Sequence, residues 1–350
     1  MPSFSPGFIE RQPITQNILR TVRLLGEYKG KETLYKQQIP QALDTLRQVA
    51  VIQSTESSNR IEGITAPADR LRALLADKTS PGNRSEQEIL GYRDVLNTIH
   101  ADHQHMPFTT GLVLQLHRDL YKYLESEGGR WKPVDNEISE VRADGTKVIR
   151  FRPVPAFATA EHMQVLHERF SELWHAGEVE KLTLIPAYVL DFLCIHPFLD
   201  GNGRMARLLS LLLLYQAGFE VGRFISLEKI VEATRDSYYD CLYASSQGWH
   251  EGEHSLLPWT EYFLGVLVAA YREFESRVGL LATARGAKTE MVREAVRHLP
   301  DSFRMADLER LCPNVGRDMI RVVLNKLRQE GAVWREGAGA GAVWRKQGIP

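Results

Sequence analysis

The stretch His196 to Arg207 reads His-Pro-Phe-Leu-Asp-Gly-Asn-Gly-Arg-Met-Ala-Arg, and brings together an imidazole, a carboxylate, a Gly-Asn-Gly turn and two guanidinium groups. Gly201-Asn202-Gly203 comes just before a helix expected from about Arg204. Glycines there let backbone N–H groups form a concave nest, and the helix terminus adds partial positive charge. Such a site wants an anion, most naturally a phosphate. Arg204 and Arg207, three apart on the first helical turn, can supply forked, charge-assisted donors to neighbouring phosphates. Asp200 would repel a bare phosphate, but fits as a ligand of a Mg²⁺ ion that bridges phosphate oxygens. His196 ends the preceding helix, which Pro197 cannot easily continue, and its imidazole then hangs over the anion site as a base with pKa near neutrality. Phe198 is expected to tuck under the loop, and Cys194 to be packing. Each residue alone has a bland explanation: a capping histidine, a helix cap, a common turn, a solvated arginine. Together they are parts for phosphoryl-type transfer.

Two apolar runs flank this polar stretch, Leu182 to Ile195 and Leu208 to Phe219, and both read as core helices. The longest apolar run, around Leu208 to Tyr215, is much shorter than the ~20 residues that span a bilayer. A chain of 350 residues, 43% hydrophobic and 25% charged, describes a globular protein of two or three domains. Its net charge of −1 announces no nucleic-acid or membrane partner. Cys194, Cys241 and Cys312 are far apart, which argues against a disulfide framework and suits a reducing compartment. The N-terminal residues show no basic region followed by an apolar one, so the expectation is a cytoplasmic protein without a signal peptide.

Most segments carry helical periodicity. Ile14, Ile18, Val22 and Leu25 fall on one helix face, and Ser85 with Glu88 has the spacing of a capping box. One region alternates instead, around Asp144-Gly145, and predicts a hairpin with strands near Ile138–Arg142 and Lys147–Phe151. After Gly279 the texture changes. A linker at 282–290 leads to three short helical patterns, Glu290–His298, Met305–Leu311 and Asp318–Gln329. Two copies of Ala-Val-Trp-Arg, at 332–335 and 342–345, then flank a glycine-rich tip. Three helices and a hairpin suggest a winged helix-turn-helix. Arg317, Arg321, Arg335, Arg345 and Lys346 could meet phosphates of DNA there. The charge excess over 288–350, twelve Lys/Arg against eight Asp/Glu, is mild, and a protein-interaction or dimerisation module of the same fold reads equally well.

The stretch at 196–207 matches without departure the motif H-P-F-x-[DE]-G-N-G-R-x-x-R of the Fic (filamentation induced by cAMP) family, and the resemblance runs from roughly Met106 through Trp259. It implies a mainly α fold: an N-terminal helical region at 1–104, a Fic-type core at 105–280 with a flap hairpin at 138–151, and the winged-helix segment at 286–350. Members of this family mostly transfer AMP from ATP to a hydroxyl side chain of a protein, with Mg²⁺. By position, the resemblance implies that His196 deprotonates the target hydroxyl and Asp200 binds Mg²⁺. Gly201, Asn202 and Gly203 would hold the α- and β-phosphates, Arg204 would contact the β-phosphate and Arg207 the γ-phosphate. The hairpin would align the target segment by strand addition. Tyr238 and Tyr239 resemble residues near the adenine of relatives, although tyrosines at this spacing also suit a core.

Far upstream, Ser58-x-x-x-Glu62-Gly63 resembles the family's inhibitory signature, on a helix at about 50–63. A carboxylate beside Arg207 would pair with it, take the γ-phosphate's place and repel the polyphosphate. Ser58 would steady that carboxylate or the helix end, and Gly63 would close the helix in a left-handed turn. The resulting expectation is an auto-inhibited protein adenylyltransferase, acting on a target protein and on itself, with a homodimer burying the Glu62 helix as a plausible control. Three alternatives stay open: a deAMPylase or bifunctional enzyme in which Glu62 orients water, transfer of another nucleotide or phosphodiester group, and a DNA-binding regulator whose core only senses nucleotide.

Overall fold

The computed structural model describes residues 1–38, 40–76, 79–125, 128–141, 145–282, 287–313, 315–337 and 342–346. Its elements run α1 (Phe8–Arg11), α2 (Gln16–Gln38), α3 (Pro40–Ile61), α4 (Ala68–Leu75), α5 (Arg84–Asp102), α6 (Thr110–Leu120), β1 (Ile138–Val141) and β2 (Lys147–Phe151). There follow α7 (Ala156–Ala176), α8 (Lys181–Ile195), α9 (Asn202–Gln216), α10 (Leu227–Ala233), α11 (Arg235–Ser246) and α12 (Leu257–Ala282). The C-terminal elements are α13 (Ala287–His298), β3 (Ser302–Arg304), α14 (Met305–Leu311), α15 (Arg317–Gln329), β4 (Val333–Glu336) and β5 (Val343–Lys346).

The fold is mainly helical and built around α9. Leu208, Leu209 and Leu211 to Leu214 are all essentially inaccessible, because a helix that is apolar on every side must be covered on every side. Helix α8 packs beside it, and the loop 196–201 joins the two. Helix α3 lies against α5 and α10, while α2 runs along α12. There Tyr28 stacks on Tyr271, whose hydroxyl donates to buried Glu32 at 2.6 Å. In α2, Ile18 and Leu25 are buried as the periodicity requires, but Ile14 precedes the helix and is exposed.

Helix α5 corrects the expected Ser85–Glu88 capping box. Its N-cap is Asn83, whose side chain accepts from the Glu86 N–H, and Glu88 is free for other partners. The hairpin forms as expected, with Ser139 opposite Ile149 and Val141 opposite Lys147; Arg142 and Asp144 of the expected turn lie outside the described residues.

The C-terminal segment contains a strand that the sequence did not announce. β3 pairs with β5, which pairs in turn with β4, all antiparallel. Helix, strand, two helices and two further strands follow one another in this segment. The glycine-rich tip, 338–341, lies outside the described residues. Among the basic side chains expected to face phosphates, Arg317 pairs with Glu309, Arg321 with Asp318 and Arg345 with Glu336. Arg335 lies over the Trp344 ring, and Lys346 donates to the Arg297 carbonyl. All five are therefore engaged inside the segment.

Helix α13 rests on α12 and α3, where Glu294 meets Arg277 at 3.1 Å, Arg297 at 2.7 Å and His298 at 3.2 Å. The His298 hydrogen bond, helped by the Arg277 charge, pulls the Glu294 pKa down to about 2 against the opposing effect of burial. A depressed carboxylate pKa contributes stability that is present above its unfolded value and lost as pH falls through the folded one. Thermal melts should thus show Glu294→Gln less stable than the parent protein at pH 6, with the gap closing as pH approaches about 2.

Candidate active site

Helix α8 ends where its hydrogen-bonded ladder hands over to His196, which takes a left-handed conformation (φ 51) and caps the helix through its N–H on the Phe192 carbonyl. A non-glycine residue there costs about 1–2 kcal/mol, so the surroundings must impose it. The imidazole Nδ1 lies 3.2 Å from the Leu193 carbonyl. A carbonyl only accepts, so Nδ1 carries the proton and Nε2 keeps its lone pair. Burial, with the Lys132 ammonium nearby, lowers the His196 pKa to about 4; the Leu193 carbonyl, Glu62 and Asp200 oppose this. The side chain is therefore a neutral base at physiological pH.

The loop beyond it is braced from both sides. Phe198 is fully buried and stacks on His117 with ring centroids 3.6 Å apart. The Gly129 N–H donates to His117 Nδ1, which leaves Nε2–H to donate to the Asp200 carbonyl at 3.1 Å. Asn202 accepts from the Phe198 N–H and donates to the Phe198 carbonyl. The amide oxygen and one of the two Nδ2 hydrogens thus hold the turn, while the second hydrogen is left over and Asn202 lines the cleft below. Gly201 is the N-cap of α9 with φ 81, and the first N–H groups of that helix lack intrahelical acceptors, so the backbone part of the expected nest is present. The Asp200 side chain is 58% exposed; one oxygen takes the Gly201 N–H at 2.6 Å, and the other lies 3.7 Å from Arg84.

The two motif arginines diverge. Arg204, with a side chain only 1% exposed, meets Glu88 at 2.7 Å and Tyr121 at 3.3 Å. Glu88 also accepts from Arg84 at 2.9 Å. Arg204 does not line the cleft below directly; it borders the site through Asp200, whose Oδ2 lies 3.8 Å from its Nη2. Removing one partner of a buried pair leaves the other charge uncompensated, at a cost of about 3–5 kcal/mol. Glu88→Ala should accordingly lose stability of that order, read as a lower urea midpoint at unchanged slope.

Arg207 faces the other way and meets α3. Its Nη2 lies 2.8 Å from Glu62 Oε1 and donates to the Ser58 carbonyl at 2.9 Å, while its Nε donates to Ser58 Oγ at 2.8 Å. Ser58, expected to steady the carboxylate or the helix end, holds the arginine instead through its hydroxyl and carbonyl. Burial disfavours the Arg207 charge, but Glu62 overrides it and leaves the guanidinium pKa raised. Helix α3 stops at this point because Gly63 adopts φ 77. The Gly63 N–H bonds Arg60, and the Ile64 N–H bonds Asn59, which is the Schellman closure. Glu62 therefore projects from a fixed helix end. A Cβ added at Gly203 would collide with Glu62 Oε1. The carboxylate rests directly over the first turn of α9, where an incoming anion would sit.

A cleft of about 980 Å³ opens from these residues, bounded by Glu62, His196, Asp200, Gly203, Arg207 and the flap residues Glu137 to Glu140. Tyr238 and Tyr239 line it as well. Tyr238 is buried edge-on to Trp259, so it serves core and cleft together, whereas Tyr239 is 42% exposed under Arg235. Arg150 on β2 pairs with Glu140 and lies over Tyr243, which ties the flap to α11. Among the described residues no cluster of three or more His, Cys, Asp or Glu could hold a metal. One exposed carboxylate fits a Mg²⁺ that arrives already bound to a polyphosphate, the usual way this ion is held.

The Fic/DOC family profile matches residues 107–214. The protein adenylyltransferase Fic of Drosophila grimshawi is 27% identical over 259 residues, covering 71% of this chain and 49% of that protein. Protein adenylyltransferase fic-1 of Caenorhabditis briggsae is 26% identical over 65% of this chain and 41% of its own length. The chain thus spans about half the length, or less, of these curated relatives. A Fic family protein from Desulfovibrio desulfuricans superposes with a TM-score of 0.62 at 23% identity, covering 97% of this chain and 98% of the other. A Fic domain containing signaling protein from Bacteroides thetaiotaomicron gives 0.61 at 20% identity, over 74% of this chain and 97% of that one. At these identities the superpositions speak for the fold. No helix among the described residues is long and apolar enough to cross a membrane.

Proposed function

We propose, on the premise that residues 107–214 match the Fic/DOC family profile, that this chain is an auto-inhibited protein adenylyltransferase. ATP occupies the cleft with its polyphosphate along the N-terminal turn of α9. The hydroxyl of a target protein, laid along the flap, attacks the α-phosphorus. His196 Nε2 takes the hydroxyl proton, the new O–P bond forms, and the bond to the leaving pyrophosphate breaks. Asp200 would hold Mg²⁺, which supplies positive charge to the polyphosphate when bound. Tyr238 and Tyr239 flank the nucleoside end, and Arg207 is the group for the terminal phosphate.

Glu62 inhibits by holding Arg207. The observation that carries this reading is the placement of Glu62 Oε1, at 2.8 Å from Arg207 and over Gly203 at the same time. One carboxylate then fills the anion site and removes its clamp, and like charge repels the γ-phosphate.

The experiment is mass spectrometry of the Glu62→Gly protein after incubation with each nucleoside triphosphate and Mg²⁺. The expected product is the protein carrying AMP after incubation with ATP. Absence of any adduct would overturn the transferase reading, and an adduct from another nucleotide would correct the donor.

A further inference from the structure

The four consecutive carbonyls from Ile195 to Phe198 are all taken by one short segment before the flap. Lys132 Nζ donates to Ile195 O at 3.0 Å, and the Lys132 backbone N–H donates to Pro197 O at 2.8 Å. Asn136 Nδ2 reaches His196 O at 3.3 Å and Phe198 O at 2.9 Å. The two side chains are joined, because Lys132 Nζ also donates to Asn136 Oδ1 at 2.8 Å. Lys132 is buried, 3% exposed, and both acceptors of its ammonium are oxygens without formal charge.

We propose that Lys132 and Asn136 are positioning residues that fix the His196 imidazole with Nε2 toward the cleft. This rests on His196 being the base of the proposed transfer. A left-handed backbone at a residue with a side chain persists only where its surroundings over-determine it. Here the clamp does so at every peptide of the turn. With the backbone held, Nδ1 meets the Leu193 carbonyl, and that contact selects one tautomer. A buried ammonium is an expensive way to hold a carbonyl. It is explained by its second effect: beside the C-terminus of α8, its charge disfavours the imidazolium. The charged groups facing His196 are Lys132 from the clamp, Glu62 from the end of α3 and Asp200 from its own loop, and Asp135 acts on Lys132.

The test is nitrogen NMR of the histidine rings in the full-length protein at neutral pH, with His196 assigned from the His196→Ala variant. In the parent protein the two ring nitrogens should be widely separated, one protonated and one bare. In Lys132→Met and Asn136→Leu they should move toward each other as both tautomers are sampled, while Lys132→Arg keeps them apart. In the Glu62→Gly background, either loss should lower kcat about tenfold or more, with the ATP KM within about twofold. Ring nitrogens that stay at parental shifts in both folded variants would overturn the proposal, whatever the activity. Shifts that move as expected in a protein with no AMP transfer would uphold the clamp and remove the functional reading instead. Should Lys132→Met fail to fold, Asn136→Leu alone decides.

Discussion

Replacing Glu62 with glycine should raise the rate of AMP transfer from ATP by about 10- to 100-fold, the range of a 1–3 kcal/mol coupling. The contact to be broken joins a 6% exposed arginine side chain to a 31% exposed carboxylate. Its partial exposure keeps the pair well below the strength of a fully buried one. Its effect on catalysis is larger than its effect on stability, because one substitution restores two things. The terminal phosphate regains Arg207, and the first turn of α9 regains room for an anion. Arg207 keeps both Ser58 contacts, so the guanidinium stays in place after the carboxylate leaves. Labelled AMP on the protein, compared between parent and Glu62→Gly at equal ATP, reads the effect; equal rates would remove Glu62 from the regulatory account.

The second large effect is loss of transfer in His196→Ala. General-base catalysis contributes about 10²–10⁴-fold, and no other described side chain on the cleft offers a neutral imidazole in its place. The loss should appear in the Glu62→Gly background as well, which separates a chemical role from release of inhibition. A neutral His196 with pKa near 4 in the free protein further predicts no acid loss of transfer until pH falls well below 6. Bound polyphosphate adds negative charge that shifts the limb upward. Rates in Glu62→Gly between pH 5 and 8 check the direction (an acid limb with its midpoint above 7 would contradict it).

The core of this site could be read from the chain because it is contiguous. His196, Asp200, Gly201, Gly203 and Arg207 lie within one loop and the first two turns of α9, so local spacing already states their geometry. Glu62 was legible for a different reason: a short motif placed it on a helix end, and Gly63 supplied the stop. Orientation was not legible. Arg204 has the same spacing whether it faces the cleft or the core, and its direction depends on Glu88. Glu88 itself looked like half of a capping box until Asn83 took the cap. Lys132 and Asn136 were invisible for the same reason, since they act across some sixty residues on carbonyls that no residue type reveals. β3 is only three residues long, too short for alternation to mark it. Its pairing with β5 depends on Phe303 being buried opposite Trp344.

Crystals of the parent and of Glu62→Gly, each grown with Mg²⁺ and a non-hydrolysable ATP analogue, test the central relationship most directly. The predicted result is Arg207 on Glu62 in the parent, with the γ-phosphate displaced from it, and Arg207 within hydrogen-bonding distance of the γ-phosphate in the variant. A parent complex in which Arg207 grips the γ-phosphate while Glu62 still occupies its place over Gly203 would contradict the competition on which this account is built.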